Sequence, residues 1–307
     1  MLRTKMVLGS AVAAVVLAAT ACGGGNPAST DTGNKGGPAP TDTIVVGSAN
    51  FQESILLAHI YAEALKAKGV KVSTKLNIGS REAYIPGIKD GSIDLIPEYS
   101  GVLLQYFNKS ATETSPDDVY AALQKAVPDT LTVLDKSAAE DKDAIVVSKD
   151  TASKHNLKSI ADLAPVAGTL TFGGPPEFKT RPDGVPGLKK NYNVTFGSFK
   201  TLDAGGPLTV NALKNGQIDA GDIFTTDPSI AKNNFVVLED PKNNFAAQNV
   251  LPLINKAKAS DTVKTTLNAV SAKLDTQTLI DLLTKVISEK QDANAVAKAW
   301  LSSAGLG

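Results

Sequence analysis

The chain of 307 residues has little of what catalytic and metal sites usually require: one cysteine, two histidines and one tryptophan. A single cysteine excludes any disulfide within the chain. His59 and His155 are far apart and lie in no recognisable motif, so zinc sites and nucleophilic triads lack ligands and bases. Walker, GxGxxG, GxSxG and HExxH motifs are also missing. We therefore expect neither an enzyme nor a bound metal or cofactor.

An excess of charge of one sign is missing as well. The 31 basic and 31 acidic side chains give a net charge of +0, and the pI is about 6.7. Proteins that bind nucleic acid normally carry a basic excess, so nucleic acid is not an expected partner. Hydrophobic residues make up 42% of the chain and charged residues 20%, as in ordinary globular proteins. The length suffices for two core-forming units, since domains hold roughly 100 to 200 residues.

The sequence lacks an apolar run long enough to cross a membrane, because a spanning helix needs about 20 apolar residues. The shorter apolar stretch 7–21 follows Arg3 and Lys5 and stops at Cys22. This order of charge, apolar core and small residues predicts a secretory signal peptide over residues 1–21. The protein is therefore expected to be exported.

The residues before the cysteine, Leu17-Ala-Ala-Thr-Ala-Cys22, resemble the lipobox of bacterial lipoproteins, with Ala19 where that motif favours leucine. The resemblance implies cleavage before Cys22 and acylation of its thiol, which anchors the protein to the outer face of the cell membrane. An ordinary signal-peptidase site ending at Ala21 is the alternative. Residues 22–42 are rich in Gly, Pro, Ser and Thr and predict a flexible tether.

A repeated order of strand, helix, strand, helix, strand organises the rest of the chain, over residues 44–97 and again over residues 170–223. In the second copy the middle strand is predicted over residues 193–199. Such alternation favours parallel sheets with right-handed crossovers, and hence two α/β lobes. Apolar residues at helical spacing from Ser260 onward predict helices that pack on the first lobe.

The chain is expected to cross twice between these lobes, which makes a hinge. Residues 144–147 form an apolar run that leaves the first lobe, and two runs between residues 235 and 254 lead back. We assign residues 43–143 and 246–307 to the first lobe and residues 144–245 to the second.

The two copies align almost residue for residue in their second halves. Ile88-Lys-Asp-Gly-Ser-Ile-Asp94 lies over Leu213-Lys-Asn-Gly-Gln-Ile-Asp219, and the same alignment places Tyr99 over Phe224. Because Asp94 and Asp219 are equivalent, they favour a role in the sheets over that of a unique catalytic pair. A duplicated architecture follows, with Tyr99 and Phe224 on opposite walls of the gap between the lobes.

Several motifs, taken in order along the chain, resemble the substrate-binding proteins of ABC importers for osmoprotectants, the glycine betaine, carnitine and choline family. They are Val46-Gly-Ser-Ala-Asn-Phe-Gln-Glu53, Gly79-Ser-Arg-Glu82, Gly91-Ser-Ile-Asp-Leu-Ile-Pro-Glu-Tyr-Ser-Gly101, Ser159-Ile-Ala-Asp-Leu163, Phe178-Lys-Thr-Arg-Pro-Asp-Gly-Val-Pro-Gly-Leu188 and Leu238-Glu-Asp240. The resemblance implies an α/β, two-lobed periplasmic-binding-protein fold, type II-like, with two crossover hinge segments. It also implies a monomeric receptor for a small solute that docks on a membrane permease with its ATPase.

Ligands of open α/β sheets bind beyond the carboxyl ends of the strands, so the loops there are expected to line one cleft. Betaine and choline binders of the family surround the ammonium with tyrosine rings. Tyr99 is the tyrosine expected in the cleft here, and Arg181 is expected to pair with a carboxylate or with hydroxyls of the solute. The predicted ligand-binding residues are Asn50, Phe51, Arg81, Tyr99, Asp143, Phe178, Arg181, Phe224, Thr225 and Gln248.

The identity of the solute stays open at this stage. The tyrosine cage is depleted relative to the family, and amide and hydroxyl side chains such as Gln248 and Thr225 suit a neutral, hydroxyl-rich solute as well as a betaine or choline. An exported enzyme on the same scaffold and a sensor lipoprotein are the alternatives from other functional classes.

Overall fold

Two five-stranded sheets organise residues 42–307, the part of the chain that the computed structural model describes. The predicted signal peptide, Cys22 and the tether up to Thr41 lie outside the described residues. The strands are β1 Ile44–Gly47, β2 Val72–Lys75, β3 Leu95–Tyr99, β4 Leu131–Val133, β5 Ile145–Val147, β6 Thr171–Gly174, β7 Ser198–Thr201, β8 Ala220–Asp222, β9 Val236–Val237 and β10 Val250–Asn255.

Both sheets have the same topology. The first has the strand order β2-β1-β3-β10-β4 and the second β7-β6-β8-β5-β9. We refer to each sheet with its packed helices as the first and the second lobe. The first three strands of each copy are parallel, as the sequence predicts. The duplication inferred from the aligned motifs is thus present in the fold.

The fourth strand in the order of each sheet runs opposite to the other four. Strand β10 runs antiparallel to β3 and β4, and β5 runs antiparallel to β8 and β9. These two strands enter their sheets from the other lobe, without a preceding helix on the same sheet. The right-handed crossover that makes neighbouring strands parallel is therefore not required of them.

Helices cover the faces of both sheets. They are α1 Gln52–Ala67, α2 Arg81–Lys89, α3 Ser100–Phe107, α4 Pro116–Ala126, α5 Lys149–His155, α6 Val185–Tyr192, α7 Pro207–Lys214, α8 Ser229–Lys232, α9 Asp261–Ser271, α10 Thr276–Leu283 and α11 Ala293–Ser303. Apolar residues of α9 to α11 share a core with α1, so the tail packs on the first lobe as predicted. None of the helices within residues 42–307 is both long and apolar enough to cross a membrane.

The middle strand of the second copy begins later than expected. The prediction over residues 193–199 is wrong in its bounds, because Asn193 adopts a left-handed conformation with φ of 56° and ends α6 there. Asparagine tolerates this conformation better than most residues, and it commonly follows a helix. Strand β7 starts only at Ser198.

Two crossover segments, residues 134–144 and 238–249, connect the lobes side by side. The Asp141 amide donates to the Gln248 carbonyl at 3.1 Å, and the Val250 amide donates to the Ala139 carbonyl at 3.0 Å. The Gln248 amide also donates to the Glu140 carboxylate at 3.1 Å. The predicted double crossover is therefore observed.

Equivalent aspartates hold the first strand of each copy. The Val45 amide donates to Asp94 Oδ2 at 2.8 Å, and the Thr171 amide donates to Asp219 Oδ2 at 2.8 Å. In return the Asp94 and Asp219 amides donate to the carbonyls of Val45 and Thr171, both at 2.8 Å. The architectural role predicted for these two residues matches their contacts.

Replacing one of these aspartates should weaken the fold without touching the cleft. We expect Asp219→Ala to lower the free energy of unfolding by about 1 to 3 kcal/mol, because the Thr171 amide loses its carboxylate acceptor. Urea denaturation measures the change. Asp129→Ala, at an exposed aspartate before β4, is the control and should stay within about 0.5 kcal/mol of the native chain. Equal stability of both variants would contradict the assignment.

Candidate functional site

A cavity of about 530 Å³, solvent at its mouth included, lies between the lobes. Loops after β1, β3, β6 and β8 contribute to it, so the carboxyl ends of the strands face the cavity as expected. The lining residues are Ala49, Asn50, Phe51, Ser80, Arg81, Tyr84, Tyr99, Val102, Asp141, Asp143, Pro175, Glu177, Arg181, Ala204, Phe224 and Gln248.

Three aromatic rings meet at one side of this cavity. The ring centroids of Phe51 and Tyr99 are 6.1 Å apart, and those of Phe51 and Phe224 are 5.0 Å apart. Tyr99 belongs to the first lobe and Phe224 to the second, at the positions that the internal alignment made equivalent. Phe51, from the loop between β1 and α1, joins the two walls.

The carboxylate of Glu53 also connects the lobes. The Tyr99 hydroxyl donates to Glu53 Oε1 at 2.7 Å, and the Thr226 hydroxyl donates to Glu53 Oε2 at 2.6 Å. Burial raises the pKa of Glu53 to about 7, against the opposing effect of the hydrogen bonds from Thr226 and Tyr99. One buried acid thereby fixes the orientation of Tyr99 and ties it to the second lobe.

Carboxylates of the second lobe and of the crossover surround the remaining wall. Asp141 Oδ1 accepts hydrogen bonds from the Thr225 hydroxyl and the Thr226 amide, each at 3.1 Å. Burial is the largest cause of a raised pKa at Asp141, Asp143 and Asp222, and neighbouring carboxylates add to the shift at Asp141 and Asp222. Burial at this wall therefore favours the protonated form of these carboxyl groups.

The two arginines of the cavity are each engaged by a glutamate. Arg81 donates from Nε and Nη2 to Glu98 at 2.8 and 2.7 Å, inside the first lobe. Arg181 donates from Nε and Nη2 to Glu82 at 3.2 and 3.1 Å, and this pair joins the second lobe to the first. Both pairs have the two-pronged geometry in which guanidinium and carboxylate fit best.

Most of the residues predicted from the sequence lie at this cavity. Asn50, Phe51, Arg81, Tyr99, Asp143, Arg181, Phe224 and Gln248 belong to its lining. Whether they contact a solute stays a prediction.

Phe178 and Thr225 lie elsewhere, so their expected place in the cleft is corrected. The Phe178 ring is buried in the core of the second lobe and stacks on Phe172 at 5.1 Å. It points inward because the short helix after β6 lays this apolar side chain against the sheet. The Thr225 hydroxyl accepts from the Lys142 amide at 2.9 Å and so holds the crossover segment.

The residues predicted from the sequence do not include Glu53, Glu82 or Asp141, although all three contribute hydrogen bonds to the site. A signal for Glu53 exists in the periodicity of α1. It precedes Leu57 and Ile60 at spacings of four and seven residues, which places an acid on the buried face of an apolar helix. Glu82 and Asp141 have no comparable signal in the sequence. Arg181, the partner of Glu82, lies 99 residues away, and Thr226, a partner of Asp141, lies 85 residues away.

The family model for the "Substrate binding domain of ABC-type glycine betaine transport system" matches residues 42–303. The chain belongs to this family. The carnitine transport binding protein OpuCC of Listeria monocytogenes is 27% identical over 273 residues, which cover 86% of this chain and 88% of that protein. The glycine betaine-binding protein YehZ of Escherichia coli is 27% identical over 276 residues, covering 85% and 90%. The family resemblance drawn from the motifs is confirmed.

A solved structure described as a glycine betaine/carnitine/choline ABC transporter has the same fold. It matches with a TM-score of 0.68 at 23% identity, over 86% of this chain and 99% of that one. The two-lobed periplasmic-binding-protein fold is thereby confirmed. Members of the family are extracytoplasmic substrate-binding components of ABC importers, which bind a small solute and work with a membrane permease, and they are not enzymes.

The raised pKa of Glu53 predicts a pH-dependent stability. Between about pH 4.5, the ordinary pKa, and about pH 7, the unfolded chain has released this proton while the folded protein retains it. The free energy of unfolding therefore falls as the pH rises through this window, by up to about 3 kcal/mol from this group. Glu53→Gln should remove that part of the slope in denaturant titrations at several pH values.

The exposed residue Glu289 provides the control for this experiment. Glu289→Gln should leave the dependence of stability on pH unchanged. An identical slope in the native chain and in Glu53→Gln would show that the carboxyl group of Glu53 does not retain its proton on folding.

Proposed function

We propose that this chain captures a small organic cation of the quaternary ammonium class and delivers it to an ABC permease. The observation that carries the proposal is the chemistry of the cavity, where aromatic rings from both lobes stand beside the carboxylates of Asp141 and Asp143. The membership of the family supports the role of receptor, and the cavity supports the class of solute.

A methylated ammonium cannot donate ordinary hydrogen bonds, so it is stabilised by ring faces and by nearby negative charge. Each ring contributes about 0.5 to 2 kcal/mol, and more when water is excluded. Tyr99 is only 7% exposed, and its hydroxyl is held by Glu53, so its ring is fixed before a solute arrives. Such preorganisation reduces the entropy lost on binding.

The contacts in the cavity support a neutral, hydroxyl-rich solute less well than the sequence alone does. Its recognition would require free amide and hydroxyl groups. Gln248 Oε1 instead accepts the Val102 amide at 3.0 Å, and the Asn249 side-chain amide donates to the Ser137 carbonyl at 3.1 Å. The Thr226 hydroxyl is taken by Glu53. Gln248, Asn249 and Thr226 therefore each give at least one polar group to the fold, and Asn50 is the amide among the described cavity residues for which no such contact is found.

Removing a ring from the cavity should weaken binding of a methylated ammonium. We expect Tyr99→Ala and Phe224→Ala each to reduce the affinity for choline by roughly 3- to 30-fold in titration calorimetry, the equivalent of one cation–π contact. Tyr106→Ala, which removes a partly buried tyrosine outside the cavity lining, is the matched control and should bind as the native chain does. A heat of binding with sugars, together with no heat of binding with choline, glycine betaine or carnitine, would contradict the proposed class of solute.

The membrane anchor forms a separate part of the proposal. The lipobox-like motif before Cys22 supports acylation of this cysteine, with the protein then acting as a monomer at the outer face of the cell membrane. We expect the native protein in the membrane fraction and Cys22→Ser in the soluble fraction, without a change in the affinity of the purified protein for its solute. Equal partitioning of the two proteins would exclude lipid anchoring through Cys22.

A further inference from the structure

The charge balance of the cavity restricts which ammonium solutes it can accept. Of the described residues that line the cavity, two are basic, Arg81 and Arg181, and three are acidic, Asp141, Asp143 and Glu177. A solute with both an ammonium and a carboxylate needs hydrogen-bond donors for its carboxylate, of which a guanidinium is the strongest, whereas a solute such as choline does not. The availability of the two guanidinium groups therefore decides between these solutes.

Arg81 is committed to the first lobe. Its side chain is 6% exposed and forms two hydrogen bonds with Glu98, whose own side chain is fully buried. The Tyr84 hydroxyl donates to Glu98 at 2.7 Å and completes this network. Breaking one member of a buried, hydrogen-bonded ion pair costs several kcal/mol, so Arg81 stays with Glu98. The availability of a cation thus depends on Arg181.

Arg181 is held from the opposite lobe. Glu82, at the start of α2, accepts from its Nε and Nη2, while Glu177 Oε1 lies 3.9 Å from Nη2. Burial alone would raise the pKa of Glu82, but the hydrogen bond and charge of Arg181 outweigh it and lower the pKa to about 2. Glu82 is therefore ionised throughout the neutral range and competes with any carboxylate for the same two donors.

A solute carboxylate that reached Arg181 would have to displace Glu82 and would also approach Asp143 and Asp141. Displacing Glu82 raises the free energy of the complex, because the two donors of Arg181 exchange one carboxylate for another without gaining a hydrogen bond. The ammonium part of the same solute is unaffected.

We propose that Glu82 is a specificity-determining residue: by holding Arg181 from the other lobe, it makes the cleft prefer ammonium solutes without a carboxylate. This inference rests on the proposed function, and it names a narrower class of solute within it.

The test compares the affinities for choline and glycine betaine in one protein. We expect the native chain to bind choline more tightly, and Glu82→Gln to lower the ratio of the two affinities at least about tenfold by releasing Arg181. Glu82 also joins the lobes, so its loss will weaken closure. That effect applies to both solutes and cancels in the ratio.

Two further variants make the result specific. Glu177→Gln removes an equal charge beside Arg181 but leaves the hydrogen-bonded pair of Arg181 with Glu82 in place, so it should change the ratio less than Glu82→Gln does. The double variant with Arg181→Gln and Glu82→Gln should lose the increase in relative affinity for glycine betaine, because it lacks the guanidinium that Glu82→Gln releases.

The outcomes separate this inference from the proposed function. Binding of choline with the same ratio in the native chain and in Glu82→Gln, or an equal loss for both solutes, would show that Glu82 is a closure contact only. A native chain that binds glycine betaine more tightly than choline would also overturn the inference, while the proposed function would stand. Failure of the native chain to bind any ammonium solute would overturn both.

Discussion

The structure depends on the pairing of polar and charged side chains between the lobes, where little water remains. The Glu53 carboxyl group is held by hydroxyls of both lobes, and Arg181 pairs with Glu82 across the cleft. Arg81 pairs with Glu98 within the first lobe. These pairings fix the aromatic rings, join the lobes and decide which charges a solute finds unsatisfied.

The duplicated architecture explains why the cavity has one aromatic wall from each lobe. Equivalent strands end at Tyr99 and near Phe224, and both ends face the same gap because the two sheets share one topology. The copies diverged in their charges: the first lobe brings a closed arginine and glutamate pair, whereas the buried aspartates come from the crossover and from the second lobe. A site that presents aromatic rings from both lobes suits a cation, in agreement with the family to which the chain belongs.

Much of this arrangement could be predicted from short motifs and their repetition. The two-lobed fold and the double crossover agree with the sequence, and eight of the ten selected residues line the cavity, while their contact with a solute stays a prediction. Phe178 was misplaced because a loop of apolar and charged residues does not reveal which of its side chains turns toward the sheet. The antiparallel strands were missed because the pattern of a strand carries no information on its direction.

By itself the sequence determined the periodic elements, the duplication and the positions of Tyr99, Phe224 and Arg181 at the ends of strands, since these follow from local spacing and turn residues. Only the tertiary structure decided which charges remain available, because ion pairs such as Glu82 with Arg181 form between residues 99 positions apart in the chain. Electrostatic complementarity depends on distance in space and on the exclusion of water. Neither the distances nor the exclusion of water can be read from the order of the residues.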